Sequence, residues 1–289
     1  MNMKRALVVL VSAGLLVSLQ ASAGWEMPKL PSGLDKALEK AKEVKAAVSL
    51  PEEEEERVLG QDVAATLLGA AKPLANPAIQ QYVNRVGLWV ALQSGRPNLP
   101  WRFAVLDNPN VNAFATPGGY VFITRGLLDQ MQTEAELAGA LGHEIAHVEL
   151  KHHLKAMKKD AGMKLLGGGA TQVLGGAGSA EDRERLTKVA GVAKGLYARG
   201  LDKADEFEAD RLGVILAARA GYDPYGLAQV LQTLDGLNAS SSQLALLFKT
   251  HPKPADRLQR LDQTLGPRLD ALGQRPSVAE RFVATVRAR

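Results

Sequence analysis

No cysteine occurs among the 289 residues of the sequence, and only five residues are histidine. The lack of cysteine excludes a disulfide framework, a metal site built from thiolates and a lipid anchor on a cysteine side chain. Any bound metal ion must therefore be held by histidine, aspartate or glutamate. Two of the five histidines stand four residues apart, which makes them the first candidates.

The sequence also lacks a strong excess of charge of one sign. Its formal net charge of +4 does not indicate nucleic-acid binding. The N-terminal apolar run, residues 6–19, is shorter than the roughly 20 residues of a membrane-spanning helix. Two basic residues precede this run and Ala21-Ser22-Ala23 follows it, which is typical of a cleaved signal peptide over residues 1–23. The sequence therefore predicts a periplasmic protein without a transmembrane helix in the mature chain; a membrane anchor is the competing interpretation.

Residue patterns along the chain predict mostly helices around a small sheet. We interpret residues 24–56 as a lysine-rich helical leader followed by a solvated acidic linker. Helical periodicity follows over residues 61–71 and 77–94. Two short runs of β-branched and aromatic residues, 101–106 and 119–124, are strand candidates. A small sheet thus precedes the segment that carries the paired histidines.

The most informative stretch reads His-Glu-Ile-Ala-His and begins at residue 143. Thr133 starts a capping-box pattern, so the stretch lies well inside a predicted helix. Residues four apart project from the same helix face. His143 and His147 can therefore bind one metal ion, with Glu144 beside it.

A candidate third ligand occurs in the sequence EFEAD, which contains Glu206 and Asp210 one helical turn apart. Two neutral imidazoles and one carboxylate leave a fourth position open, which is the arrangement of a catalytic zinc site. Zinc lowers the pKa of a water molecule there towards about 7, and Glu144 is placed to accept its proton as general base. Asp210 can accept a hydrogen bond from a zinc-bound histidine. A solvated helix face is the alternative for both carboxylates.

Four ordered motifs make the chain similar to a known family. The first is NAFA, which begins at residue 112 and is followed by PGG. The second and third are HEIAH and EFEAD, and the fourth is THP with an arginine six residues after its histidine. Over about residues 57–265 the sequence resembles peptidase family M48, the zinc metallopeptidases that include HtpX and the CAAX prenyl endopeptidase. This resemblance implies a gluzincin-type metallopeptidase of the α+β class, mainly helical, with a small antiparallel sheet beside the HExxH helix. It also implies one zinc ion per chain, bound by His143, His147 and Glu206, with Glu144 as catalytic base.

The same resemblance gives roles to two further regions. The first is the family's edge strand in the cleft, which corresponds here to Asn112, Ala113, Phe114 and Ala115. An extended substrate could add to this edge as a further strand, whereas a plain turn before a strand is the alternative. The second is a loop in which His251 can swing towards zinc, followed by Arg257, which stabilises the oxyanion or the substrate carbonyl. The competing interpretations are a structural helix start for His251 and a surface charge for Arg257.

Two features have no assigned role at this point. Residues 162–178 contain seven glycines, which is compatible with a flap over the site or with a packed or irregular connection. His152 and His153 follow the metal-binding stretch, and we interpret them as packing or surface residues.

The predicted organisation is a signal peptide, the leader and linker, a metallopeptidase domain over residues 57–265 and a C-terminal helical tail over residues 266–289. The predicted function is a zinc metalloendopeptidase of the cell envelope that cleaves extended or misfolded proteins in protein quality control. We expect protein or peptide substrates and no nucleic acid, while peripheral outer-membrane association and the oligomeric state stay open. The alternative is a non-proteolytic, chaperone-like assembly factor of the periplasm with a structural or regulatory zinc site.

Overall fold

The computed structural model describes residues 50–165, 191, 195, 197–237, 241–270 and 275–287. The predicted signal peptide, the leader up to residue 49 and residues 166–178 of the glycine-rich segment lie outside the described residues. Within the described part, no helix has the length and apolar character that crossing a membrane requires.

Most of the described chain is helical. The helices are α1 Glu53–Ala70, α2 Pro77–Ala91, α3 Arg125–Leu128, α4 Glu134–Glu149, α5 His152–Leu165, α6 Lys203–Arg219, α7 Gly226–Asp235, α8 Ala245–Thr250, α9 Pro254–Asp270 and α10 Ala279–Phe282. The strands are β1 Arg102–Leu106, β2 Ala113–Thr116 and β3 Tyr120–Thr124. The predicted class, mainly helical α+β with one small sheet, is confirmed.

The three strands form a mixed sheet in the order β1-β3-β2. The turn Pro117–Gly119 joins β2 directly to β3, and the two strands are antiparallel. Gly118 has φ of +76° in this turn, a conformation that favours glycine. β1 and β2 run in opposite directions, and β3 lies between them. The sheet is therefore not antiparallel throughout, because a central strand between two opposed neighbours must be parallel to one of them.

The acidic run that was predicted to be a solvated linker is the first turn of α1. Negative charge at a helix N-terminus is stabilising, and the helix begins at Glu53 rather than at the predicted residue 61. The Glu56 side chain is buried and accepts hydrogen bonds from Arg96 at 2.8 Å and from the Gly118 amide at 3.2 Å. These bonds hold α1 against the turn that joins β2 and β3.

Helix α4 lies at the centre of the core. Its residues Leu137, Leu141 and Ile145, each four positions after the last, are fully buried in the main hydrophobic cluster. Truncating one such side chain to alanine typically costs about 2–5 kcal/mol. Core packing therefore fixes the helix that carries the paired histidines without the help of a bound metal ion.

Helix α6 approaches α4 closely at a pair of glycines. A β-carbon on Gly142 would lie 2.7 Å from the carbonyl oxygen of Gly213, and one on Gly213 would lie 2.6 Å from the amide nitrogen of His143. Any side chain at either position would push the two helices apart. The close approach brings the first turns of α6, with Glu206, to the histidine-bearing face of α4.

Candidate metal centre

Thr133 caps the N-terminus of α4 as the sequence predicts, but the reciprocal bond of the capping box reaches the Gln132 amide rather than that of Thr133. Thr133 Oγ1 accepts a hydrogen bond from the Glu136 amide at 3.2 Å, and the Glu136 carboxylate accepts one from the Gln132 amide at 2.9 Å. The helix continues to Glu149. His143 and His147 consequently project from one face, as residues four apart on a helix do.

His143, His147 and Glu206 meet in one buried cluster. The Nε2 atoms of the two histidines are 3.1 Å apart. The Glu206 carboxylate oxygens lie 3.7 Å from His143 Nε2 and 3.5 Å from His147 Nε2. None of the three side chains is more than 4% exposed. The three predicted ligands therefore direct their donor atoms to one point.

The chemistry of this donor set fits a divalent metal ion. Burial, together with the charges of neighbouring histidines, lowers the pKa of His147 well below its usual value, so the ring is neutral. Burial alone would raise the pKa of Glu206, but the charge and hydrogen bond of His251 lower it, so the carboxylate is ionised. Two imidazoles and one carboxylate are a donor set of catalytic zinc sites.

Asp210 and Arg257 lie behind His143. Asp210 Oδ1 is 2.8 Å from His143 Nδ1, the ring nitrogen that faces away from the cluster. The Arg257 guanidinium binds both oxygens of Asp210, with its Nε 2.9 Å from Oδ2. Burial alone would raise the pKa of Asp210, but the charge of Arg257 holds it far below its usual value. Arg257 is itself buried, which excludes the surface-charge alternative; its contact with an oxyanion stays a prediction.

His251 lies beside the third candidate ligand. Its Nδ1 atom is 2.6 Å from Glu206 Oε2, and its ring centroid is 5.8 Å from that of His143. Burial lowers the pKa of His251, but the charge of Glu206 and the hydrogen bond to it raise the pKa above its usual value. The His251 side chain therefore belongs to the cluster, whereas its movement towards a metal stays a prediction.

Glu144 lines a pocket beside these donors. Predicted site residues that line this pocket are Asn112, Ala113, Phe114, Glu144, His147, Glu206 and His251. Burial raises the pKa of Glu144, and this effect outweighs the nearby positive charges. A carboxyl group whose pKa is closer to neutral is better suited to exchange protons with a substrate.

Strand β2 forms one wall of the pocket. It lies at the edge of the sheet among the described strands. The Ala115 carbonyl accepts a hydrogen bond from the Tyr197 hydroxyl at 2.5 Å. Tyr197 also packs edge-on against Phe114 and stacks on His153. The sequence did not indicate Tyr197, because a single tyrosine outside any motif carries no signal of contact with a strand 82 residues earlier.

His152 and His153 are both buried, which excludes the surface alternative. His153 lines the pocket. His152 Nδ1 lies 3.0 Å from His147 Nδ1, the nitrogen opposite the candidate donor atom. Residues five apart do not share a face of one helix. The contact forms because Lys151, with φ of +57°, turns the chain between α4 and α5.

Comparison with known proteins supports the motif evidence. Residues 77–265 match the model of Peptidase family M48. The chain is 29% identical over 208 residues to the Beta-barrel assembly-enhancing protease of Escherichia coli (strain K12), which covers 71% of this chain and 42% of that protein. It is 27% identical over 256 residues to the protein of the same name from Yersinia pestis, with coverage of 87% and 52%. It is 27% identical over 188 residues to the Mitochondrial metalloendopeptidase OMA1 of Schizosaccharomyces pombe, with coverage of 64% and 52%.

The chain thus spans about half the length of these relatives, or less. The region that matches the family model is more than half of the chain, and it contains the histidine pair, Glu144, Glu206 and the residues packed behind them. On this evidence the chain belongs to peptidase family M48.

Proposed function

We propose that this chain is a zinc-dependent endopeptidase. The observation that carries the proposal is the shared pocket, which Glu144, His147 and Glu206 line together with residues of the edge strand β2. His143, His147 and Glu206 would hold the ion, since their donor atoms converge. The other ring nitrogen of each histidine is already in contact with a neighbour: that of His143 with Asp210, and that of His147 with His152. A Zn²⁺ ion held there would act as a Lewis acid towards a peptide carbonyl and the attacking water.

Glu144 is the residue that moves the proton in this proposal. It accepts a proton from the attacking water and returns it to the leaving amine, so the carboxylate is restored in each cycle. Its raised pKa makes the carboxylate a stronger base and so favours the first of these transfers. Asp210, held by Arg257, keeps the proton of the His143 ring on Nδ1 and leaves the Nε2 lone pair for the metal.

We infer the substrate class from strand β2, which forms one wall of the pocket. A sheet edge can pair with an extended peptide through main-chain hydrogen bonds, independently of sequence. Asn112 Oδ1 is buried at this wall and has no hydrogen-bond partner among the described residues. A buried acceptor of this kind costs free energy unless a ligand satisfies it. We therefore infer that extended or misfolded segments, rather than folded surfaces, enter the pocket.

The cell envelope is the proposed compartment. The predicted signal peptide supports export, and two of the similar proteins are named for the assembly of β-barrels. A role in envelope protein quality control, with peripheral contact to the outer membrane, is consistent with both. His251, which holds Glu206 at the edge of the cluster, is the proposed gate of the site.

Cleavage of casein tests the proposal against the non-proteolytic alternative. We expect Glu144→Gln to lower the cleavage rate by about 100-fold or more, because general acid–base catalysis contributes about 10²–10⁴. Removal of metal by a chelator should abolish cleavage, and Zn²⁺ should restore it. Glu149→Gln is the matched control, since it makes the same change at the end of the same helix. Equal cleavage by wild type, Glu144→Gln and chelated protein would leave the assembly factor as the better account.

A further inference from the structure

A second group of potential metal donors lies behind the catalytic cluster. It consists of His152, Asp205 and Glu208, whose ligand atoms all lie within 4.8 Å of one another. Asp205 and Glu208 are three residues apart on α6 and so share a face. Glu206, between them in sequence, points instead into the catalytic cluster. The two groups therefore lie on different faces of one helix.

The His152 side chain is fully buried, and its Nε2 atom has no hydrogen-bond partner among the described residues. This atom faces the two carboxylates, at 3.8 Å from Asp205 Oδ1 and 3.5 Å from Glu208 Oε2. Buried polar atoms are satisfied in the great majority of cases, so an orphan nitrogen aimed at two carboxylates needs an explanation.

The separations between His152 and the two carboxylates fit a shared metal ion better than a short charge-assisted hydrogen bond. A charge-assisted hydrogen bond would draw the nitrogen and oxygen to about 2.7–2.9 Å. Donors that share a tetrahedral ion at about 2.1 Å are instead about 3.4 Å apart. The separations in the second group, 3.5 and 3.8 Å, resemble the 3.5 and 3.7 Å between histidine and carboxylate in the catalytic cluster.

We propose that His152, Asp205 and Glu208 form a second site for a divalent transition-metal ion. Ions reach it from solvent, because the Asp205 and Glu208 side chains are 29% and 46% exposed while His152 closes the inner side. One imidazole and two carboxylates suit zinc and similar ions.

The second site binds metal more weakly than the first. The Asp205 and Glu208 side chains are 29% and 46% exposed, whereas none of the three side chains of the first cluster is more than 4% exposed. Water therefore competes more strongly for the carboxylates of the second site. This order of affinities, but not the site itself, rests on the metal centre proposed above.

Metal counting at equilibrium tests the proposal. Wild-type protein is dialysed against excess Zn²⁺, and zinc per chain is measured by elemental analysis. We expect two equivalents for wild type and one for the double variant Asp205→Asn/Glu208→Gln. The single variants should each weaken the second equivalent by at least about tenfold, as even outer-shell changes do. The control Asp262→Asn/Glu280→Gln removes two exposed carboxylates from other helices and should keep both equivalents.

Two results would overturn the second site. One is a single equivalent at saturating Zn²⁺ in both wild type and Asp205→Asn/Glu208→Gln; the other is two equivalents retained in Asp205→Asn/Glu208→Gln. Neither result bears on peptidase activity, which is measured separately. The single variant Glu208→Gln controls for misfolding of the double variant, because the Glu208 side chain is exposed and its replacement leaves the core unchanged.

Discussion

The close approach of α4 and α6 at Gly213 predicts that metal binding depends on a residue that contacts no metal. In Gly213→Ala the added β-carbon would lie 2.6 Å from the His143 amide nitrogen and 2.8 Å from the Gly142 carbonyl carbon. Both atoms belong to backbone, so no side chain can rotate away. Restoring a contact of about 3.4 Å requires the helices to part by about 0.8 Å, and zinc sites tolerate deviations of about 0.2 Å in donor distance.

The expected stability change has two parts. Overpacking of a core contact costs about 1–3 kcal/mol. Replacing glycine by alanine within a helix returns about 0.5–1 kcal/mol. We therefore expect a net loss of up to about 2.5 kcal/mol in the free energy of unfolding, together with a fall in zinc affinity of about tenfold or more.

Gly69→Ala is the matched control. Gly69 also lies in a helix, but a β-carbon there meets no atom within 4 Å. This variant should keep its zinc affinity and be as stable as wild type or slightly more stable. Urea unfolding gives the stability, and competition with a zinc chelator gives the affinity. If Gly213→Ala bound zinc as tightly as Gly69→Ala, the spacing between the two helices would not control the site.

Four further variants test individual contacts. Glu206→Ala should lower zinc affinity by more than about 100-fold, since a ligand matters more than an outer-shell residue, and unchanged metal content would remove it as a ligand. His251→Ala should let a chelator strip zinc faster, and an unchanged rate together with unchanged casein cleavage would exclude a gate. Arg257→Gln should cost about 3–5 kcal/mol at pH 7 because it leaves Asp210 buried without its cation. Because the pKa of Asp210 is lower in the folded protein than in the unfolded chain, ionised Asp210 stabilises the wild type above about pH 4. This stability is lost as the pH falls through the folded-state pKa of Asp210. Arg257→Gln should therefore lose less stability on acidification than wild type does, as measured by urea unfolding. Tyr197→Phe should free the Ala115 carbonyl and lower KM for an extended peptide; a raised KM would instead make the hydroxyl part of the substrate site.

Local sequence patterns were sufficient to predict the helix that carries the candidate metal site. The spacing of His143 and His147 and the cap at Thr133 depend only on neighbours within a few turns, which is why pattern and structure agree there. Glu206 was identified because its motif is itself local, although the contact it makes spans 63 residues from His143, the difference between their numbers.

Contacts set by the path of the chain were not predicted. The parallel pairing of β1 with β3 depends on where β3 inserts, which strand composition does not encode. The burial of Glu56 depends on Arg96, 40 residues later. The approach of His152 to His147 depends on one turn at Lys151, and its sequence spacing favours no such contact. In each case the local sequence around the residue or strand gives no sign of the contact, which depends on a segment that is distant in sequence or turned by the backbone.

The central claim is that His143, His147 and Glu206 bind one zinc ion beside Glu144. Diffraction from crystals of the zinc-loaded protein, collected on both sides of the zinc absorption edge, tests it most directly. The account predicts an anomalous peak about 2.0–2.2 Å from the two Nε2 atoms and from a Glu206 oxygen. A fully loaded protein with no peak at that point, or with zinc bound only elsewhere, would contradict it.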